Sequence, residues 1–154
     1  MLNNNNTFLL ISVKPQYAKK IFEGKKTIEL RKSAPRNAKE GSYMLIYVTS
    51  PVKELWGICK IDSIIKDEPC MLWKDFGDKT GITKKEFSEY YKGRANAYGI
   101  NLKEIISFNN SSINLDSLKD MIPGFMPPQT YRYIKKELLD LSNLTHLMPV
   151  ANNI

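Results

Sequence analysis

The stretch "GKKTIELRKSAP", residues 24–35, decides how the fold is read, because apolar and polar side chains alternate within it. Ile28 and Leu30 are its only strongly apolar side chains. Alternation with a period of two predicts a half-buried strand with one apolar face and one polar face. We therefore expect Ile28 and Leu30 to enter a core. The polar face of this strand consists of Thr27, Glu29 and Arg31.

The same stretch lies inside the segment that carries the whole net charge of the chain. Residues 14–39 hold nine lysines and arginines against two glutamates, which equals the net charge of +7. A localised positive excess is typical of a surface that binds a polyanion, whereas a uniformly basic protein could simply be soluble. The alternative is a solvated helix and strand that meet no partner.

Length and composition predict one ordinary domain. The chain has 154 residues, of which 42% are apolar and 25% charged, as in a globular protein in solution. No apolar run is long enough to span a bilayer, and the N-terminus lacks the pattern of a secretory signal. We therefore expect a cytoplasmic protein that does not bind a membrane.

The cysteines and the histidine do not form a metal-binding pattern. Cys59 and Cys70 belong to no CxxC pair, and His146 is the single histidine. We therefore expect two buried thiols, no metal and no cofactor.

Around the central stretch, hydrophobic patterning predicts further strands and helices. "TFLLISVK" predicts a strand, and a helix then runs from Pro15 to a stop at Gly24. "SYMLIYVTS" and residues 54–67 predict two more strands, the second with Gly57 at a bulge or close approach.

The second half of the chain predicts three helices and one strand. A helix begins at Pro69, and another follows the capping box of Thr83 and Glu86. Residues 97–108 form a strand region, and "PPQTYRYIKKELLDL" has the spacing of an amphipathic helix. This order predicts an α+β fold with a flexible N-terminus over 1–7, a domain over 8–141 and a tail over 142–154.

Two longer segments resemble a known family. "LLISVKPQYAKKIFEGKKTIELRKSAP", followed by "GSYMLIYVTSPVKELWG", resembles the ASCH domain of the PUA-like superfamily. The shared pattern is a strand with Lys-Pro, a helix ending in Gly, a Lys-Thr-x-Glu-x-Arg strand and a strand leading to Ser-Pro. The resemblance implies a small mixed β-barrel of about five strands with flanking helices. It also implies a cleft along the Lys-Thr-x-Glu-x-Arg strand, in which relatives bind RNA or modified bases.

The charge and the resemblance together favour a nucleic-acid-binding protein with a basic cleft, whose partner is RNA or a modified nucleoside and whose expected role includes regulation. Arg31 offers a planar fork for a phosphate or a base edge, and aromatic side chains stack on unpaired bases. The plainer alternatives are surface ion pairs and core aromatics. The candidate ligand-binding residues are Lys14, Lys26, Thr27, Glu29, Arg31, Tyr47, Ser50, Trp73, Tyr90, Gln129, Tyr131 and Arg132.

An enzyme is the alternative function. Some ASCH proteins remove an acyl group from cytidine with a lysine, a threonine and a glutamate. Lys26 matches that lysine, but Glu29 stands where the threonine is expected and Thr27 is the nearest threonine. Another relative cleaves single-stranded RNA, which implies a metal-independent ribonuclease using Lys26, Tyr47 and Ser50. A domain that binds an acidic protein is a third hypothesis.

Overall fold

The fold is a curved mixed sheet with helices on its outside. The computed structural model describes residues 6–139 and 141. In chain order its elements are β1 (Thr7–Val13), α1 (Pro15–Phe22), β2 (Ile28–Arg31), β3 (Tyr43–Val48), β4 (Glu54–Asp67), α2 (Pro69–Phe76), α3 (Lys84–Tyr90), β5 (Ala97–Ser107), β6 (Ile113–Asn114), α4 (Leu115–Met121) and β7 (Tyr131–Lys135). Short 3-10 turns cover Gly77–Lys79, Asn109–Ser111 and Lys136–Leu138. The predicted tail over 142–154, including His146, lies outside the described residues.

Within the described residues, the sheet has the order β2-β5-β4-β3-β1-β7, with β6 paired to β4. β1 and β3 are parallel, and the other pairs are antiparallel. The sheet is open, so the predicted closed barrel of about five strands is wrong, although the α+β class is confirmed. Strands β2 and β7 are the two ends of this order, and they do not pair with each other.

Side chains bridge the gap between these two edges. The Arg31 Nη2 atom on β2 donates to the Ser12 carbonyl on β1 at 2.7 Å. The Tyr131 hydroxyl on β7 donates to the Ser33 carbonyl at 2.7 Å, and Tyr133 donates to the Arg36 carbonyl. The sheet therefore curves far enough for its edges to meet through side chains rather than through a strand ladder.

The inner face of the sheet surrounds the largest apolar cluster, which α1 also contacts. Leu9, Ile46, Ile61 and Ile100 belong to this inner cluster together with Ala18 of α1. A second cluster lies under α4, and a third lies between β2, α2 and α3. Helix α1 therefore packs on the inner cluster, and α3 packs on the cluster outside β2.

The alternation predicted for β2 is confirmed, but its two faces are reversed. Ile28 and Leu30 belong to the third cluster, against Leu72 and Phe87 of the outer helices, rather than to the inner cluster. Glu29 pairs with Ile100, a member of the inner cluster, so its side chain faces inward. The periodicity of a strand defines two faces, but it does not show which face turns towards the inner cluster. In β2, the helices α2 and α3 cover the apolar face, so the polar face turns inward.

The predicted C-terminal helix is also wrong. Tyr131–Lys135 is strand β7, antiparallel to β1, and only Lys136–Leu138 forms a helical turn. The segment is rich in aromatic and β-branched residues, and pairing with the free edge of β1 outweighs its helical spacing. Cys59 is buried as expected, but Cys70 is exposed near the start of α2.

Candidate functional site

A cleft of about 530 Å³ opens where the sheet does not close. Its walls come from the end of β1 and the start of α1, from β2, from α3 and from the loop that precedes β7. Three cationic and two anionic side chains line it, namely Lys14, Lys26, Arg31, Glu29 and Glu86. A cleft with apolar walls and a few convergent polar groups is the usual form of a ligand site.

Lys26 is the most deeply buried charged residue of this cleft. Its side chain is 2% exposed, and its Nζ atom donates to the Ile28 carbonyl at 2.8 Å and the Thr80 carbonyl at 2.6 Å. Burial lowers the pKa of the Lys26 amine from its ordinary value of 10.5, whereas the negative charge of Glu29 raises it. A neutral amine has two N–H groups and one lone pair. In its neutral form Lys26 would donate both N–H groups to the two carbonyls, and its lone pair would be free to accept a proton.

Glu29 and Arg31 form a buried charged pair beside Lys26. The Arg31 Nε and Glu29 Oε1 atoms are 3.6 Å apart, too far for a good hydrogen bond. Glu29 Oε2 and Arg31 Nε are buried and have no hydrogen-bond partner among the described residues. Buried polar atoms without partners are rare in native proteins and call for an explanation. The hydrogen-bonding capacity of the pair is therefore incompletely satisfied by the described residues.

Arg31 is held from two directions. Its Nη2 donates to the Ser12 carbonyl, and its guanidinium lies 5.7 Å from the ring centre of Tyr131. The Ser12 hydroxyl in turn donates to the Pro128 carbonyl at 2.7 Å, which ties the loop before β7 to the cleft. These contacts fix the guanidinium plane and leave its Nη1 atom without a partner among the described groups.

Two tyrosines lie on the α3 side of the cleft, one from α1 and one from α3 itself. The Tyr17 hydroxyl of α1 donates to Glu86 Oε2 of α3 at 3.3 Å, and burial together with Glu86 raises the pKa of Tyr17. Tyr90 is 37% exposed and has the Lys32 Nζ atom 4.7 Å from its ring centre. Tyr90 therefore presents an aromatic surface at the mouth of the cleft, beside a cation.

The structure brings half of the predicted ligand-binding residues together. Tyr131 supports Arg31 from the adjoining strand without lining the cleft itself. The predicted residues that line the cleft are Lys14, Lys26, Glu29, Arg31, Tyr90 and Gln129.

Other predicted residues lie elsewhere. Thr27 uses its backbone to bond Lys79 and Leu102, and it does not line the cleft. Tyr47 is 2% exposed inside the second cluster, because its side chain points away from the inner face of β3. Ser50 is exposed in the turn after β3.

Two further predicted residues belong to other surfaces. Trp73 belongs to α2, and its ring packs against Phe87 of α3. Arg132 lies over the ring of Phe125 at 5.3 Å. Arg132 alternates with Tyr131 along β7 and turns to the other face of that strand, and Trp73 turns from α2 towards α3, so neither side chain lines the cleft.

Sequence reasoning missed several cleft residues. Ser12 lies within the predicted strand "TFLLISVK" and Tyr17 within the predicted helix that begins at Pro15, and both line the cleft. A single polar residue within "LLISV" was the available signal for Ser12. No local pattern placed Pro127 and Pro128 near β2, because that approach follows from the pairing of β7 with β1.

Comparison with known proteins relates the chain to one family. A family model described as a domain of unknown function, DUF365, matches residues 8–122. An ASCH domain-containing ribonuclease of Zymomonas mobilis subsp. mobilis is 32% identical over 128 residues, 83% of this chain and 84% of that one. The crystal structure of ASCH from Zymomonas mobilis matches with a TM-score of 0.79 at 29% identity, over 92% of this chain and 96% of the other. The fold is PUA-like, and the chain belongs to the ASCH domain family.

A ribosomal protein shares part of this sequence. Large ribosomal subunit protein uL22 of Ureaplasma parvum serovar 3 is 28% identical over 103 residues, which are 66% of this chain and 32% of that protein. The similar region is therefore about a third of the ribosomal protein.

The described residues contain neither a membrane-spanning helix nor a cluster of metal-ligating side chains. Across residues 6–139, no helix has the length and hydrophobicity needed to cross a membrane. In the same part of the chain, no three His, Cys, Asp or Glu side chains come together as a metal site would require.

Proposed function

We propose that this protein binds single-stranded RNA in the cleft between β1, β2 and α3 and cleaves it. The observation that carries the proposal is Lys26, a buried amine whose two hydrogen bonds and lowered pKa suit it to accept a proton. The relative named as a ribonuclease supports the reaction. Sequence alone favoured binding over catalysis, and the environment of Lys26 now favours catalysis.

The cleft residues suit transfer of a phosphodiester to the neighbouring ribose hydroxyl. In that reaction the 2′-oxygen bonds to phosphorus, the bond from phosphorus to the 5′-oxygen breaks, and a 2′,3′-cyclic phosphate forms. Lys26 takes the proton of the 2′-hydroxyl, and water supplies a proton to the departing 5′-oxygen. Arg31, whose guanidinium is already oriented, offsets the charge that develops on the phosphoryl oxygens.

Binding of a base is assigned to the mouth of the cleft. Tyr90 offers an exposed ring on which an unpaired base stacks, and Lys32 beside it suits a phosphate. Lys14, exposed at the start of α1, provides a second cation at the same opening. We expect single strands to bind better than duplexes, because stacking on Tyr90 needs an unpaired base.

The test is a cleavage assay on a labelled single-stranded RNA in the presence of EDTA. Lys26→Met removes the amine, and we expect the cleavage rate to fall at least about 100-fold, the usual contribution of a general base. Lys25→Met is the matched control, since Lys25 is the exposed neighbour and pairs with Glu23. We expect its rate to stay within about twofold of the wild type.

Three outcomes would contradict the proposal. The wild type could fail to bind RNA above the level of a neutral protein, or the Lys26→Met protein could cleave as fast as the wild type. Release of an acyl group from acylated cytidine with no RNA cleavage would favour the amidohydrolase hypothesis instead. Thermal unfolding of both variants shows that a lost rate does not come from a lost fold.

A further inference from the structure

A second groove lies on the far side of α3 from the cleft. Its volume is about 860 Å³, and α2 and α3 form its two walls. Glu86 and Tyr90 face the cleft, whereas Lys84, Phe87 and Tyr91 face the groove. At 100° per residue these two sets are centred about 110° apart, on different faces of the helix. One short helix therefore separates two concave surfaces.

The wall of this groove contains Trp73, one of the residues predicted from the sequence to bind the ligand. Its ring packs against Phe87 with centroids 5.0 Å apart, and it remains only half-buried. Gly77 lies directly against the ring, since a Cβ atom there would come within 2.8 Å of it. Trp73 is thus held in one orientation, and its indole N–H makes no hydrogen bond within the described residues.

Three cations line the same groove as this indole. Lys74, Lys84 and Arg94 are exposed and line the groove, and Glu68 is the single acidic residue among its lining. No ion pair of the described residues includes any of the three cations, whereas Lys60 and Lys103 each have a carboxylate partner. A groove that combines unpaired cations with an aromatic ring has the chemistry of a site for single-stranded nucleic acid.

We propose that this groove is a second RNA subsite, which holds nucleotides of the strand that extend beyond the cleft. The inference rests on the proposed function, because it assigns the groove to the same RNA. The cations bind phosphates and Trp73 contacts a base. Short RNAs then fill the cleft alone, and longer RNAs gain affinity from the groove.

The two tryptophans of the chain allow a direct fluorescence test. Trp56→Phe leaves Trp73 as the single tryptophan, and Trp56 lies outside both cavities. This variant is titrated with 2′-fluoro RNA, which lacks the attacking hydroxyl, in lengths of about 4 and about 12 nucleotides. We expect the longer RNA to quench Trp73 and the shorter RNA to bind without quenching it.

Charge variants test the cations. The triple change Lys74→Gln, Lys84→Gln and Arg94→Gln should weaken binding of the longer RNA about tenfold or more and leave the shorter RNA unaffected. A control removes the same charge elsewhere, at Lys53, Lys119 and Lys135, which are exposed and line neither cavity. We expect the control to weaken both lengths only slightly and equally.

Cys70 provides an independent readout of the same groove. It is exposed and lines the groove, whereas Cys59 is buried, with its thiol pKa raised by burial to about 12. The longer RNA should slow alkylation of Cys70 several-fold, and the shorter RNA should not. Cys59 stays unmodified throughout and reports that the fold is intact.

The outcomes separate this inference from the proposed function. The groove proposal alone fails if Trp73 and Cys70 do not respond to the longer RNA although the shorter RNA binds. In that case the shorter RNA with its 2′-hydroxyl groups is still cleaved, as the proposed function requires. Equal losses in the two triple variants would also overturn it, as would quenching by an acidic peptide but not by RNA. If neither length binds, both proposals fail.

Discussion

At the residue scale, Lys26 shows how environment converts a common side chain into a reactive one. Effects of opposite sign act on its amine, since burial and then the nearby charges of Arg31 and Lys20 favour the neutral form, whereas the Glu29 carboxylate favours the charged form. Burial is the larger effect, so the pKa falls. The carbonyls of Ile28 and Thr80 accept hydrogen bonds from this amine and fix its position.

The lowered pKa predicts the pH dependence of cleavage. The active form of Lys26 is deprotonated, so kcat/KM should rise with pH and level off above a pKa that lies below 10.5. The free energy of unfolding should rise over the same range, from the folded pKa up to the unfolded value, because the unfolded chain then binds more protons. Rates and urea unfolding measured from pH 6 to 10 check both.

Glu29→Gln tests the assignment of this pKa. Removing the carboxylate removes the influence that raises the Lys26 pKa, so the rising limb should shift to lower pH. The role given to Lys26 would be contradicted if the pH profile of kcat/KM did not shift in this variant, or if kcat/KM fell with rising pH.

At the element scale, the position of α1 depends on a close approach at Gly57 of β4. The pairing of β3 and β4 shifts register between Ile46 and Tyr47, opposite this glycine, as a bulge requires. A Cβ atom on Gly57 would lie 2.3 Å from the Ile106 carbonyl and 2.6 Å from the Phe22 ring. Phe22 ends α1, the helix that supplies Tyr17 to the cleft.

Gly57→Ala should therefore destabilise the protein by about 3 kcal/mol, at the upper end of overpacking costs. Urea unfolding measures the loss. Gly41→Ala is the control, because a Cβ atom at Gly41 would meet no neighbour. Its only cost comes from the left-handed backbone, with φ of 85°. That change should cost about 1 kcal/mol. Equal losses in the two variants would show that crowding at Gly57 is unimportant.

At the scale of the whole molecule, the cleft exists because the sheet remains open. Its edge strands, β2 and β7, approach each other without pairing, and side chains of Arg31 and Tyr131 span the space between them. A closed barrel would have filled this space with backbone hydrogen bonds. The gap instead exposes the ends of β1 and β2 and the loop before β7 to a common ligand.

Tyr131 allows the two roles of this bridge to be separated. Tyr131→Phe removes the hydrogen bond to the Ser33 carbonyl and should cost about 1 kcal/mol of stability, with RNA affinity nearly unchanged. Tyr131→Ala also removes the ring beneath the Arg31 guanidinium, so RNA affinity should fall several-fold further. Urea unfolding and RNA titration check the pair. Equal affinity in the two variants would exclude a supporting role for the ring.

Much of the fold was predictable from local patterns. Strands β3 and β4, the helix that begins at Pro69 and the capping box at Thr83 and Glu86 all follow from hydrophobic spacing and turn chemistry. The segment of β7 was not predictable in the same way, because its helical spacing was overruled by pairing with β1. Local preferences are small compared with the free energy of completing a sheet edge.

The sequence by itself determined the family, the α+β class and the residues of β2 on which the site is built. Only the tertiary structure decided that Glu29 and Arg31 turn inward, that the sheet stays open and that Trp73 lies in a separate groove. The physical reason is that alternation along a strand defines two faces, whereas the elements that cover each face come from distant parts of the chain. The environment of Lys26 depends on Thr80 in the same way, since 54 residues separate them.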